Sequence, residues 1–145
     1  MADRTLTVAN SVITLAVATI FNAPRQIQGY AADDVFSTQP IGTTEVVPGV
    51  DSNLSAGYVY VPVPWTLVLQ ADSESNDFFD QWQAYQQQTK ETYACSGVVI
   101  LPAIGKKYTM PRGFMTSWPP MPDAGKLLRP RRYGFTWQSM QAEKI

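Results

Sequence analysis

Residues 67–91, LVLQADSESNDFFDQWQAYQQQTKE, constrain the fold most, because a strand pattern passes there directly into a helical one. The residues up to position 70 alternate as in a β-strand, which places Trp65, Leu67 and Leu69 on one face. A polar turn follows at 71–75, and the rest has the periodicity of an amphipathic helix. The apolar positions of that helix are Phe78, Phe79, Trp82 and Tyr85. One such helix among strands predicts a β-sheet whose open face the helix covers.

The start of the predicted helix has three candidate caps: Asp72, Ser73 and Ser75. Each side chain is of a type that accepts hydrogen bonds from the free backbone N–H groups of a first turn, and the pattern does not choose among them. Three acidic residues, Glu74, Asp77 and Asp80, stand near the positive end of the helix. We interpret them as serving the helix dipole and solubility.

Strand patterns occupy much of the remaining chain. Residues 12–21 place Ile13, Leu15, Val17 and Phe21 on one face, and residues 132–139 do the same with Tyr133, Phe135 and Trp137. Shorter strands are predicted at 26–30, 97–101, 108–110 and 112–118, with a turn at 105–107, and residues 141–145 are predicted to fray. Pro62 and Pro64 predict a strand edge or a bend before Trp65.

About eight strands and one helix predict a mainly β domain, an antiparallel β-sandwich or barrel with one flanking α-helix. The 145 residues suffice for one domain, so we expect residues 1–145 to form a single unit. Cys95 is the single cysteine, which excludes an internal disulfide, and its place beside a strand predicts a small buried core residue. The chain has no signal-peptide pattern and no run of 18 apolar residues, so we expect it to act in the cytoplasm or in something assembled there.

Residues 31–56 interrupt the strand pattern with a long loop-like segment, AADDVFSTQPIGTTEVVPGVDSNLSA. Only Glu45, Val46 and Val47 suggest a strand or one arm of a hairpin. The segment is too apolar for a solvated linker, and a loop of this length in a compact domain is usually functional. We therefore predict an arm that packs on its own domain or on a neighbour.

Charge is unevenly distributed along the chain. Residues 1–80 carry nine acidic and two basic side chains, a net charge of −7, whereas residues 81–145 carry three acidic and nine basic ones, a net charge of +6. Such polarity is compatible with internal pairing and equally with head-to-tail association between copies.

Residues that carry chemistry are scarce in this sequence. There is no histidine, which excludes Ser/His and Cys/His nucleophile pairs and all histidine metal sites. No phosphate-binding glycine motif is present. Asp33 and Asp34 are adjacent in a loop, an arrangement that is more often solvated or paired than bound to Mg²⁺. We expect no enzymatic activity, no cofactor and no metal.

The basic segment 126–132, KLLRPRR, is the most concentrated charge in the sequence. Aromatic residues follow it directly, as in some nucleic-acid-binding proteins, but their strand spacing is usual for a core-facing strand. Ion pairing with acidic residues of another subunit is the favoured interpretation of this segment.

Several stretches resemble a family of small bacteriophage virion proteins, the tail tube proteins of contractile-tailed phages, some of which are labelled phage structural or tail fibre proteins. The stretches are TLTVANS at 5–11, IQGYAADDVF at 27–36, GVDSNLSAGYV at 49–59, LQADSESNDFFDQW at 69–82, LPAIGKKYTM at 101–110 and LLRPRRYGFTW at 127–137. Together they span nearly the whole chain, and none of them is a mechanistic signature.

The resemblance implies two packed antiparallel sheets with a flanking helix. It also implies six subunits that close a ring by joining inner strands, and rings that stack into a tube. In that family a long loop reaches the adjacent ring, and residues 31–56 match it in order and size. The implied partners are the tail sheath, baseplate and tail-terminator proteins. DNA would pass through the lumen without specific binding, and the protein would belong to the virion after assembly in the host cytoplasm.

We therefore predict a non-enzymatic subunit that self-assembles into stacked, hexameric rings. The candidate inter-subunit contacts, chosen by charge and position, are Asp33, Asp34, Glu45, Asp51, Arg129, Arg131 and Arg132. One alternative is a baseplate or tail-terminator adaptor of the same fold, which would form one ring and stop. Another is a monomeric carbohydrate-binding β-sandwich that uses Trp65, Trp118 or Trp137. Exposed tryptophans would favour the carbohydrate-binding module, and buried ones would favour the scaffold.

Overall fold

A computed structural model describes residues 11–17, 23–28 and 35–145 of the chain. Within these ranges it forms ten strands and one helix. The strands are β1 Val12–Val17, β2 Arg25–Ile27, β3 Phe36–Thr38, β4 Thr44–Pro48, β5 Leu54–Tyr58, β6 Val63–Leu69, β7 Cys95–Leu101, β8 Lys106–Ser117, β9 Arg131–Trp137 and β10 Gln141–Lys144. The helix, α1, spans Ser75–Thr89. The prediction of a mainly antiparallel β fold with one helix is confirmed.

Eight strands form one antiparallel sheet in the order β2-β1-β7-β8-β9-β6-β3, and β10 pairs with the first part of β8. The remaining strands, β4 and β5, form a separate hairpin, which confirms the strand predicted at 45–47 as one arm of a hairpin. In the described part of the chain, β2 and β3 lie at the two ends of the sheet order. Each therefore offers one edge to a further strand.

Strand β8 is one continuous strand where the sequence pattern predicts two, at 108–110 and 112–118. Between the pairs Cys95–Gly113 and Gly97–Met110, β8 carries one residue more than β7, which makes a bulge at 111–112. Pro111 lies in this bulge, where a residue without an N–H group is tolerated. The turn before β8 lies at 102–105, earlier than predicted, with Gly105 at φ 65°.

The C-terminal residues do not fray. Residues 141–144 form β10, whose pairs with β8 run from Gln141–Thr109 to Lys144–Lys106. The prediction from their polar sequence was wrong because backbone pairing along β8, and not burial of side chains, holds them in place.

The core lies between the inner face of the sheet and α1. The alternation predicted for three strands is confirmed, with the inward positions fully or almost fully buried: Ile13, Leu15 and Val17 of β1, Trp65, Leu67 and Leu69 of β6, and Tyr133, Phe135 and Trp137 of β9. Pro64 lies just before the three β6 residues that pair with β3.

Helix α1 covers the sheet through three aromatic residues. Phe79 stacks on Tyr133 with ring centroids 4.3 Å apart, and Trp82 lies 6.1 Å from Phe135. Phe78 is also buried. Tyr85, which the helical spacing assigns to the same apolar face, is 48% exposed, and Trp82 is the last buried residue of the helix.

The start of α1 differs from all three predicted caps. Glu74 holds the cap position without a side-chain cap hydrogen bond. Ser73 and Ser75 bind Gln28, the residue after β2: the Ser73 hydroxyl donates to the carbonyl oxygen of Gln28 at 2.5 Å, and the Ser75 hydroxyl accepts from the Gln28 N–H at 2.9 Å. The Ser73 hydroxyl also accepts from the Ser75 N–H at 3.2 Å. Asp72 is exposed. The serines thus tie the helix to an edge strand.

Cys95 is buried, as predicted, and its thiol donates to the carbonyl oxygen of Gly113 at 3.5 Å. Burial raises its pKa to about 12. The predicted strand residues 18–21 and 29–30 lie outside the described residues. No helix in the described ranges is long and apolar enough to cross a membrane.

Candidate assembly surfaces

The β4–β5 hairpin, residues 44–58, is the first candidate surface. Every residue of both strands is exposed, including Val46 at 50%, Val47 at 63%, Leu54 at 70% and Tyr58 at 78%. Among the described elements, β4 and β5 make their substantial contacts only with each other. A two-stranded hairpin with bare apolar side chains is at best marginally stable in water, so this one has the properties of a docking element.

The turn of the hairpin is built around Asp51. Its carboxylate accepts hydrogen bonds from the Asn53 backbone N–H at 3.2 Å and from the Asn53 amide at 2.8 Å. These bonds hold the pKa of Asp51 below its ordinary value. Ser52 takes the left-handed conformation at φ 67°, and the Gly49 N–H donates to the Asn53 carbonyl oxygen at 2.7 Å.

Hydrogen bonds at the base of the hairpin connect it to the rest of the subunit. The Val59 N–H donates to the carbonyl oxygen of Thr43 at 2.8 Å, which extends the pairing by one step. The Tyr60 hydroxyl then donates to the Gln138 carbonyl oxygen at 2.8 Å, beyond the end of β9. The hairpin is therefore anchored at one end and bare along its length.

The second candidate surface lies in the excursion between β8 and β9, residues 118–130. Its outer turn is compact: the Arg129 N–H donates to the Asp123 carbonyl oxygen at 2.7 Å, and Ala124 and Leu128 form an isolated bridge. We call residues 125–129 the basic tip. It exposes Leu127 at 83% and Leu128 at 61% between the bases Lys126 and Arg129.

Arg131 closes the neck of this excursion. Its guanidinium donates to both carboxylate oxygens of Asp80 in α1, at 2.9 and 3.3 Å, and to the Pro119 carbonyl oxygen at 2.7 Å. The Trp118 indole N–H donates to Asp80 at 3.0 Å. We call Asp80, Trp118 and Arg131 the neck cluster.

Electrostatics in the neck cluster favour the charged arginine. Burial by itself opposes the charged guanidinium, but the hydrogen bond to Asp80 and nearby negative charge outweigh it and raise the pKa of Arg131. For the adjacent Tyr133 hydroxyl, which donates to Asn76 at 2.8 Å, burial has the opposite effect and raises the pKa.

The structure places the candidate contact residues on different parts of the chain. Glu45 and Asp51 lie on the hairpin, and Arg129 lies on the basic tip. Arg132 is exposed on β9. Asp33 and Asp34 lie outside the described residues. Three of the seven candidates, Glu45, Asp51 and Arg129, thus lie on the two candidate surfaces.

Two sequence-based interpretations need correction at the neck cluster. Arg131 is only 5% exposed and is paired within its own subunit, so it is a structural residue and not a free inter-subunit contact. Asp80 does not simply serve the helix dipole, because it anchors Arg131 and Trp118. No sequence signal announces this pairing, since its partners are 51 and 38 positions apart.

The tryptophans do not form an exposed platform. Trp65, Trp82 and Trp137 are 3% exposed or less, and Trp118 is half-buried with its N–H bound to Asp80. By the criterion set from the sequence, this favours the scaffold over the carbohydrate-binding module. In the described ranges, no group of three or more Cys, Asp and Glu side chains is placed to hold a metal ion.

A family model described as Tail fiber protein gp32 matches residues 4–141. The chain belongs to this family. As a member of this family, the chain is a structural component of a phage or phage-like tail. No curated protein sequence matches it.

Solved structures share the fold of this gp32-family chain at low sequence identity. A chain in the cryo-EM structure of the anti-feeding prophage (AFP) baseplate, 6-fold symmetrised, has a TM-score of 0.67 at 11% identity, covering 100% of this chain and 99% of that one. A chain in the PVC sheath/tube terminator of an extracellular contractile injection system, in the extended state, has a TM-score of 0.66 at 12% identity, with 99% of each chain covered.

A chain in the extended PVC sheath-tube complex is similar as well, with a TM-score of 0.63 at 12% identity over 97% of this chain and 93% of that one. At these identities the likeness establishes the fold alone. The gp32-family chain therefore has a fold found among components of contractile injection systems.

Proposed function

We propose that this gp32-family protein is a non-enzymatic tail tube subunit that assembles into hexameric rings, which stack into a tube inside a contractile sheath. The observation that carries the proposal is the β4–β5 hairpin, which is anchored at Tyr60 and exposed over all ten of its strand residues. Apolar side chains presented in this way lose their contact with water when another subunit covers them. The long loop of tail tube proteins that reaches the adjacent ring has its counterpart in this hairpin.

The sheet edges support ring closure. Within the described residues, β2 and β3 end the sheet order, and exposed edges of this kind invite pairing with another chain. Six copies that pair edge to edge would form a continuous barrel without free edges. We propose this arrangement for the inner wall of the tube.

The proposed partners follow from the proposed place in the tail. Sheath protein would surround the tube, and baseplate and tail-terminator proteins would meet its two ends. DNA would pass through the lumen without specific binding, because a strongly basic wall would retain phosphates. The protein would assemble in the host cytoplasm and reside in the virion tail.

A second candidate function is a baseplate or tail-terminator adaptor. The similarity to chains in a baseplate structure and in a terminator structure, at TM-scores of 0.67 and 0.66, favours this candidate. An adaptor of the same fold would form one ring and stop, whereas a tube subunit would continue to stack.

Negative-stain electron microscopy of the purified protein, over a range of concentrations, separates these functions. Long tubes of uniform width support the tube subunit, and single rings that do not stack at high concentration support the adaptor. Monomers at all concentrations would contradict both. A Val47→Ser and Leu54→Ser double variant serves as the control, since it keeps the hairpin length and removes two of its exposed apolar side chains.

A further inference from the structure

The hairpin and the basic tip have complementary chemistry. The hairpin, residues 44–58, carries Glu45 and Asp51 and no base, beside the exposed Val46 and Val47. In the basic tip the exposed Leu127 and Leu128 lie between two bases, with no acid in residues 125–129. Each surface thus combines exposed apolar side chains with charge of one sign, and the signs are opposite.

Neither charge is paired with an opposite charge within the part of the subunit that the structure describes. Among the described residues, Glu45, Lys126 and Arg129 form no ion pair, whereas Arg131 beside the tip is already paired with Asp80. Arg131 is therefore a structural residue, whereas the bases Lys126 and Arg129 remain available at the surface. Asp51 is partly committed, because its carboxylate holds the turn of the hairpin.

We propose that the hairpin of one copy packs against the basic tip of another copy, in a head-to-tail contact that rests on the proposed assembly. Val47, which strand alternation places on the same face of β4 as Glu45, would cover the leucines of the tip, and Glu45 would face Lys126 or Arg129. Opposite charge steers such an encounter and fixes its orientation. Two hairpins would bring acids together and two tips would bring bases together, so a symmetric contact between like surfaces is unfavourable.

Site-directed cross-linking tests the contact directly. The single-cysteine additions are Val47→Cys on the hairpin and Leu128→Cys on the tip, both at exposed positions. The native Cys95 does not interfere, because it is buried and its pKa is about 12. A short bis-maleimide should give a covalent dimer when the two variants are mixed under assembly conditions. Neither variant alone should give one.

Charge reversal tests the electrostatic part of the contact. Glu45→Lys should raise the protein concentration needed for assembly by roughly tenfold, because it places like charges opposite each other. The double variant Lys126→Glu and Arg129→Glu should have a similar effect. Mixing the hairpin variant with the tip variant, or combining the changes in one chain, should restore assembly. The matched control is Glu91→Lys, an exposed acid outside both surfaces, which should leave assembly unchanged.

The outcomes separate this contact from the proposed function. If the wild-type protein forms tubes but the mixture gives no cross-link and no rescue, the contact is wrong and the tube function stands. If only single rings form and the mixture still cross-links, the contact stands within the ring and the tube function is wrong. If reversal of the tip charges leaves assembly intact but abolishes binding to anionic phosphatidylserine vesicles, the tip faces a lipid surface and the proposal is overturned.

Discussion

Asp80 is the residue at which the helix, the sheet and the β8–β9 excursion meet. Its carboxylate accepts hydrogen bonds from Arg131 and Trp118, and Arg131 in turn holds the Pro119 carbonyl oxygen. Because Arg131 is 5% exposed, loss of Asp80 would leave its buried charge without the carboxylate that it pairs with, and of the hydrogen bonds described for its guanidinium only the one to the Pro119 carbonyl oxygen would remain. The Asp80–Arg131 interaction therefore contributes more to holding the two ends of the β8–β9 excursion together than a single ion pair would.

Asp80→Asn tests the neck cluster. We expect a loss of about 1–3 kcal/mol in the free energy of unfolding, below the range for fully buried pairs, because Asp80 is 43% exposed. Urea denaturation followed by tryptophan fluorescence measures the loss. Asp77→Asn, an exposed acid in the first turn of the same helix, is the control and should cost less. Equal losses in the two variants would contradict the assigned role of Asp80.

Trp82→Ala tests the packing of the helix on the sheet. Trp82 is fully buried against Phe79 and Phe135, so its removal should cost roughly 3–5 kcal/mol and abolish assembly by unfolding the subunit. Urea melts of the monomer measure the stability. The control is Tyr85→Ala, one turn later and 48% exposed, which should cost much less. No loss in the Trp82 variant would show that the helix does not brace the core.

At the scale of elements, the sequence predicts the strands and the helix in which buried and exposed side chains recur at a regular spacing. Alternation at Ile13, Leu15 and Val17 and at Tyr133, Phe135 and Trp137 identified the inward faces of β1 and β9 correctly. Helical spacing likewise located α1, because its aromatic residues must face the sheet. The period of the apolar residues is a direct consequence of which face is covered.

The elements that the sequence does not predict are held by backbone pairing or by distant partners. Strand β10 consists of four exposed residues and depends on its ladder with β8. Ser73 and Ser75, at the start of α1, bond to Gln28 just after β2, about 45 positions away. Local patterns carry no information about such partners, which is also why the sequence does not predict the Asp80–Arg131 pair.

Removal of the hairpin tests the separation between folding and assembly. Replacing residues 44–58 by a short Gly-Ser linker should change the free energy of unfolding by no more than about 1 kcal/mol, because the hairpin contributes no buried residue. The same change should abolish tubes in electron micrographs. A monomer destabilised by more than about 3 kcal/mol would show instead that the hairpin belongs to the folding unit.

At the scale of the whole molecule, the charge asymmetry along the sequence places acidic and basic side chains on different elements of the fold. Acidic Glu45 and Asp51 project on the hairpin, whereas Lys126 and Arg129 project on the tip. Arg131 does not add to the surface charge of the tip, because Asp80 neutralises it within the fold. Of the charges that remain on the hairpin and the tip, Glu45, Lys126 and Arg129 are those that the proposed contact between copies would use.

DNA binding by the assembled protein tests where the basic segment 126–132 faces. We expect binding no tighter than about 10 µM at physiological salt, because bases at a subunit interface are withdrawn from phosphates. Fluorescence anisotropy with a labelled duplex, over a salt series, measures it. Strong binding that is lost in the triple variant Lys126→Ala, Arg129→Ala and Arg132→Ala would place the segment in the lumen.

The bare hairpin has a further consequence for any stack built with the proposed contact. In such a polymer each copy extends its hairpin in the same direction, so the two ends are chemically unlike. One end presents unoccupied acidic hairpins, and the other presents unoccupied basic tips. Subunits would then add to the two ends at different rates, and a protein that stops growth at one end would not recognise the other.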